Sequence, residues 1–185
     1  VGRGMTGDFT LRTARLEDKA AVTALLKASY PVLMAPSYDT ETLPEALRLM
    51  TRAQPRLLRS GSFYVAEPAD GSTAGQNIAD RNIIGCGGWS RESPVTGKAT
   101  GTLGHIRHFG THPDWTGRGV GRAIFDLCAA QARDAGITEF ECCSSLNAEG
   151  FYARLGFTAV GRMDFPLRRH RVFPGVLMRR GIGEA

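Results

Sequence analysis

No apolar run in this chain approaches the roughly 18 residues that a membrane-spanning helix needs. The start, VGRGMTGDFT, lacks the hydrophobic stretch of a secretory leader. Both absences point to the cytoplasm and away from a membrane. Cysteine is scarce: Cys86, Cys128, Cys142 and Cys143 are the whole supply. None stands in a CxxC pair, so no zinc site and no redox role are expected, nor any other metal. Cys142 and Cys143 are adjacent on a strand-like run and should face opposite sides. All four read as reduced packing residues. Internal repeats and coiled-coil heptads are missing as well.

What is present is ordinary for one globular domain: 185 residues, 42% hydrophobic and 22% charged. The domain is placed at residues 9–181, with a flexible tail over 1–8 and a short one over 182–185. The formal net charge of +5 permits an acidic partner, either nucleic acid or a polyanionic cofactor. Basic residues gather at Arg118 and Arg122 and again in RRHRVFPGVLMRR. The second cluster reads as a solvated strand end.

A short strand opens near FTLRTA. Val22, Leu25, Leu26 and Ser29 recur with the spacing of one helix face. PVLMAPSYDTE reads as a loop, and TLPEALRLMTRA as a second helix with Leu47 and Met50 inward. SFYVAE and NIIGCGGWS form a hairpin whose connection, PADGSTAGQNIADR, is polar and flexible. After the loop RESPVTGKATGT, the strand LGHIRHFGTH stops at Pro113. A strong helix follows with Val120, Ala123, Ile124, Leu127 and Cys128 inward, ended by Gly136. ITEFECCSS is a strand, NAEGFYARLGF a short helix ended by Gly156, and FTAVGRM and FPGVLMRR are closing strands. This order implies a mixed α/β domain with antiparallel pairing early and a parallel crossover late.

Gly117, Gly119 and Gly121 crowd five positions directly before the strong helix. Glycine inside a helix costs about 0.5–1 kcal/mol relative to alanine, so the turn needs a compensating reason. A strand, a glycine turn and a helix start together make an anion site, because the first helical amides lack partners and the helix dipole adds positive charge. A Walker A loop is rejected, since Arg122 and Ala123 stand where it needs Lys and Ser or Thr. G-R-G-V-G is one residue short of a dinucleotide fingerprint, although Glu141 lies where that motif wants an acid. A turn with no ligand also fits the glycines taken alone.

HPDWTGRGVGRAIFDL resembles the acetyl-CoA signature of the GNAT superfamily of N-acetyltransferases, Q/R-x-x-G-x-G/A. It runs here from Thr116 to Gly121, with Thr116 in place of Gln or Arg. SSLNAEGFYARLGF is similar to a second family segment through Asn147, Phe151, Tyr152, Gly156 and Phe157. FPGVLMRR is similar to the family's closing strand. The resemblance implies a mixed, mostly antiparallel α/β (α+β) sheet, splayed between its two parallel middle strands and flanked by helices. It implies acetyl-CoA as co-substrate, an amine acceptor that is a small molecule or a peptide, and an assembly as a homodimer. Backbone groups of Phe109 and Thr111, with Gly110 between them, are implied to pair with the pantetheine arm. The amides of Gly117, Arg118, Gly119, Val120, Gly121 and Arg122 are implied to cradle the pyrophosphate. The Thr116 hydroxyl is expected to cap the helix or touch phosphate, and the resemblance implies that Asn147 contacts the pantetheine and that Tyr152 is the general acid.

An amine of pKa near 10.4 must lose a proton before it attacks a thioester, at a cost of about 4.6 kcal/mol at pH 7. The family often supplies a glutamate for this on the strand before the turn, but GHIRHFGTH contains no acid. His105 holds the corresponding position and can accept a proton near neutrality. Strand alternation places His105, Arg107, Phe109 and Thr111 on one face, and Ile106, His108 and Gly110 on the other. Tyr30, Tyr38, Asp39, Trp89 and Glu92 are expected to line the acceptor site, with Asp39, Glu41 or Glu92 attracting the amine. Two other classes remain: a non-catalytic acetyl-CoA-binding regulatory module and a basic nucleic-acid-binding protein. The presence of both Tyr152 and Asn147 argues against the first.

Overall fold

The computed structural model describes residues 4–69 and 82–183. Along the chain run β1 (Gly4–Thr6), β2 (Phe9–Thr13), α1 (Lys19–Met34), α2 (Thr42–Met50), α3 (Pro55–Leu58), β3 (Phe63–Pro68), β4 (Gly85–Ser90), β5 (Leu103–Thr111), α4 (Val120–Asp134), β6 (Glu139–Ser145), α5 (Glu149–Arg154), β7 (Thr158–Pro166) and β8 (Val172–Gly181). They build one eight-stranded sheet in the order β1-β2-β3-β4-β5-β6-β8-β7. Every neighbouring pair is antiparallel except β5 and β6, which are parallel and joined through α4. This is the mixed sheet the sequence implies.

Alternation along the strands sends apolar side chains to both faces, so each face needs a helical cover. One core holds Val22, Leu25 and Leu26 of α1 against Phe63, Val65 and Cys86. The other holds Val120, Ile124, Phe125 and Cys128 of α4 against Tyr64, Trp89, Ile106 and Phe140. Gly136, at φ +78°, closes α4 as its position in the sequence suggests. All four cysteines are free. Cys142 is buried on the α4 face and Cys143 is half-buried. Burial pushes the Cys86 thiol up to about 12 and that of Cys143 to about 11, which suits packing and not redox chemistry.

Three elements differ from the sequence reading. Part of the expected tail, Gly4–Thr6, pairs with β2 as an edge strand. Helix α1 continues through Pro31 to Met34, where a loop is expected. The proline removes one helical donor, but Tyr30 and Met34 on that last stretch are buried in the core, and their burial offsets the loss. A short helix, α3, follows Gln54, with Pro55 in the first helical position where a missing N–H costs nothing. Most of the expected flexible connection between β3 and β4 lies outside the described residues.

Candidate active site

β5 and β6 pair through only three rungs, Leu103↔Glu139, Gly104↔Phe140 and His105↔Glu141. Beyond His105 the two strands part, although β5 continues to Thr111 and β6 to Ser145. His112 donates its amide to Ile84 O at 2.8 Å. The preceding Thr111 therefore turns its peptide groups away from β4 and toward the gap. The carbonyls on this open edge are reached from α1: Tyr30 donates its hydroxyl to Phe109 O at 2.9 Å, and Ser29 to Thr111 O at 2.7 Å. The edge is thus fixed in position without a neighbouring strand.

A β-bulge accompanies the divergence. Between Cys86↔Gly110 and Gly88↔Arg107, β5 spends one more residue than β4, and His108 takes φ +49°. Such an insertion bends the strand and reverses its alternation. The expected grouping of His105, Arg107, Phe109 and Thr111 on one face is therefore corrected. His105, Arg107 and Gly110 face α1, whereas Ile106, Phe109 and Thr111 face α4. A Cβ on Gly87 would lie 2.6 Å from the Phe109 ring, and one on Gly110 would lie 2.9 Å from Leu26. The glycine at 87 thus admits the Phe109 ring against β4. Gly87→Ala is expected to displace that ring, lower stability by about 1–3 kcal/mol and raise the KM for acetyl-CoA, as thermal melts and steady-state rates would show.

At the end of the open strand, the three glycines of the turn have two different reasons. Gly117 and Gly119 take φ +75° and +82°, a left-handed conformation that other residues adopt at a cost. Added Cβ atoms there meet nothing within 4 Å. Gly121 is needed for packing, since its Cβ would lie 2.8 Å from the Phe151 ring. No side chain caps α4 at Gly119. Its first helical bond is from Ala123 N to Gly119 O, at 2.9 Å, so the amides of Val120, Gly121 and Arg122 have no helical acceptor. The Val120 side chain is buried and holds this end of the helix to the sheet. Thr116 does not cap the helix; its hydroxyl donates to Pro113 O at 2.8 Å. Arg118 lies over the Trp115 ring, 4.7 Å from its centroid. Arg122 donates to Arg154 O at 2.8 Å and ties α4 to α5.

Across the gap, Tyr152 of α5 sits among Phe109, Phe151 and Phe157, with ring centroids 6.3, 5.0 and 5.5 Å away. Its hydroxyl lies by the Cys142 thiol, and burial raises it well above the ordinary phenol value. Just before α5, Asn147 Oδ1 is buried with no hydrogen-bond partner. An amide oxygen left so is costly unless a donor arrives from outside the protein.

His105 is buried at the last rung of the parallel pair. Its Nδ1 lies 3.4 Å from Glu141 Oε1, too poorly aligned for a hydrogen bond, and neither ring nitrogen has a partner. Burial lowers its pKa below 6.5; Glu141 raises it in part, while Arg107 and Arg179 lower it further. Glu141 is held from behind by Arg179, whose Nη2 is 2.9 Å from Oε2. The sequence reading missed this role for Glu141, because only the strand register sets it beside His105.

The residues expected at the acceptor site are largely occupied elsewhere. Trp89 points into the α4 core and donates to Gln131 at 3.0 Å. Tyr38 stacks on Phe173 and donates to Pro174 O at 2.9 Å. Asp39 accepts from the amides of Thr42 and Glu41 at the start of α2, at 2.7 and 2.9 Å. These bonds hold its carboxyl below the ordinary range. Glu92 pairs with Arg56 at 2.9 Å, beside a cavity that Arg107 also lines, and Glu41 pairs with Arg171 at 2.5 Å.

A sheet that splays after one short parallel pairing, with a glycine turn and an uncapped helix at the end of the open strand, defines an N-acetyltransferase fold. The acetyltransferase (GNAT) domain family matches residues 71–165, just over half of the chain. The chain belongs to that family and is an acetyl-CoA-dependent N-acetyltransferase. An aminoglycoside N(6')-acetyltransferase type 1 from Stenotrophomonas maltophilia is 28% identical over 160 residues, covering 84% of this chain and 90% of that one. A GCN5-related N-acetyltransferase structure from Rhodopseudomonas palustris aligns with a TM-score of 0.71 at 23% identity, over 97% of this chain and 99% of that one. The PaiA N-acetyltransferase from Thermoplasma acidophilum, solved with coenzyme A, aligns at 0.61 and 16% identity, over 96% and 99%. Among the described residues no cluster of His, Cys, Asp and Glu could hold a metal ion, and no helix is long and apolar enough to cross a membrane.

Proposed function

We propose that this enzyme acetylates an amine brought to the α1 face of β5 and β6, beside His105, while the β5–β6 gap and the turn before α4 hold acetyl-CoA. The observation that carries the reading is the end of strand pairing at His105↔Glu141, with an unpaired strand edge leading to the turn. The open edge at Phe109, Gly110 and Thr111 receives the pantetheine arm, and the orphaned Asn147 oxygen accepts one of its amide donors. The amides from Gly117 to Arg122 receive the diphosphate. Thr116 has no part in this beyond holding the turn to Pro113. The four free thiols suit a reducing cytoplasm.

Acetyl-CoA supplies the thioester: a carbon–nitrogen bond forms to the amine as the carbon–sulfur bond breaks. His105 takes the amine proton. Its lowered pKa keeps it neutral at pH 7, and the Glu141 charge 3.4 Å from Nδ1 favours a proton on that nitrogen, leaving Nε2 to accept. Tyr152 faces the departing sulfur. A phenol held well above 10 stabilises that sulfur as a hydrogen-bond donor more than by complete proton transfer.

Isothermal titration with acetyl-CoA, followed by thiol release with a library of amines, tests the reading; absence of binding ends it. The pH dependence separates the roles. His105 must be unprotonated, so kcat/KM falls as pH drops through its pKa, on a limb lying below pH 6.5. Glu141→Gln removes the charge that supports the imidazolium and moves this limb to still lower pH. His105→Ala abolishes the limb. A profile that neither variant changes would show that His105 is not the base.

A further inference from the structure

Arg107 carries a fixed charge into the α1 face two residues from His105 and, among the described residues, makes no ion pair there. Its partners are neutral: Nη1 donates to Ser90 Oγ at 2.8 Å and Nη2 to Gln54 Oε1 at 3.3 Å. Glu92 is paired with Arg56 at 2.9 Å and Glu141 with Arg179 at 2.9 Å. The guanidinium is half-buried and cannot shed its charge, so it has lost part of its water, while Glu92, the carboxylate whose field it feels, is tied to Arg56. Burial pulls its pKa down, Glu92 raises it in part, and Arg56 lowers it again. A cavity of about 220 Å³ opens on this group, with Gln54, Arg56, Leu57, Ser90, Glu92 and Arg107 among its lining residues. That is roughly seven water volumes at about 30 Å³ each. The neighbouring His108 is pulled down to about 4 by burial and by Arg107. It is therefore neutral at pH 7, and its Nε2 lies 3.2 Å from Gln54 Nε2; the second cation at this cavity is Arg56, paired with Glu92.

We propose that Arg107 and this cavity form a carboxylate subsite, and that the acceptor is a compact amino acid whose own carboxylate docks there while its amine faces His105. The proposal rests on the reading of His105 as the point of acetyl transfer. Two same-face strand residues stand about 7 Å apart, the scale of one small molecule carrying both groups. With two of its five donors engaged, the guanidinium keeps three for a carboxylate. A polycationic acceptor fits poorly, because the acids on this face are already paired.

Acetyl-CoA affinity is measured first by titration. Thiol release is then followed with the twenty proteinogenic L-amino acids, each beside its decarboxylated amine, and with kanamycin. At least one amino acid is expected to exceed its decarboxylated partner by about 30-fold or more in kcat/KM, a charge-assisted bidentate contact. Arg107→Gln is expected to erase that difference through the KM of the amino acid, and Arg107→Lys to keep part of it. The Kd for acetyl-CoA should stay within about 3-fold in both, which a general loss of structure would not allow. Three results overturn the subsite in a protein that binds acetyl-CoA: preference for kanamycin or the decarboxylated amines, equal loss for both members of a pair in Arg107→Gln, or no amino acid acetylated. A protein that fails to bind acetyl-CoA overturns the underlying reading and this proposal with it.

Discussion

Tyr152→Phe is expected to lower kcat by about 10²-fold while the Kd for acetyl-CoA changes by less than about 3-fold. The two effects separate because the ring and the hydroxyl do different things. The ring packs against Phe109, Phe151 and Phe157, and phenylalanine keeps those contacts. Removing the hydroxyl leaves the soft Cys142 thiol with one weak neighbour fewer, a cost within about 1 kcal/mol. In the proposed mechanism, what is lost is the donor facing the sulfur as it departs. Because burial raises the phenol well above 10, Tyr152 stays protonated across the working range, and its loss should depress the rate without adding or removing a limb of the pH profile. The measurements are single-turnover rates, titration with acetyl-CoA and a thermal melt. An unchanged kcat removes Tyr152 from the chemistry. A collapsed melting temperature would instead make it a core residue, and retained kcat per folded molecule would confirm that.

The order of elements and the place of the glycine turn were legible in the sequence because both are local. Helical periodicity in Val22, Leu25, Leu26 and Ser29, all buried, and the left-handed stops at Gly136 and Gly156 need no tertiary information. The misreading of the strand faces has one cause. Strand faces were assigned by unbroken alternation, and a single extra residue at His108–Phe109 moved Phe109 and Thr111 to the other side. That bulge leaves one trace, the glycine at 87 opposite it, which a periodicity argument passes over. The pairing of His105 with Glu141 depends on parallel register between strands separated by a whole helix. The acceptor residues failed for a related reason. Tyr38, Asp39 and Trp89 have the right chemistry, but each is spent on a stack, a cap or a core that only the assembled fold shows. Arg107 has no distinguishing mark in the sequence; only the fold sets it against Ser90 and Gln54 at the edge of a cavity.

Gly119→Val is expected to weaken acetyl-CoA binding by about 100-fold or more with only a modest loss of stability. At φ +82° a β-branched residue is strained by about 1–2 kcal/mol, yet its Cβ meets nothing within 4 Å, so no clash adds to that strain. In a chain of this length, such a cost lowers the melting temperature by roughly 2–8 °C. The strain is relieved by rotating the peptide that joins residues 119 and 120, which turns the Val120 amide away from the mouth of the turn and tilts those beside it. Losing two charge-assisted hydrogen bonds at about 1.5 kcal/mol each accounts for the lost affinity. Gly121→Leu is the contrasting variant. Its side chain must enter the Phe151 ring, so stability should fall before affinity does, as overpacked cores do by about 1–3 kcal/mol or more. If Gly119→Val binds acetyl-CoA normally, the unpaired amides at the start of α4 do not hold the diphosphate, and the left-handed turn serves only to reverse the chain between β5 and α4.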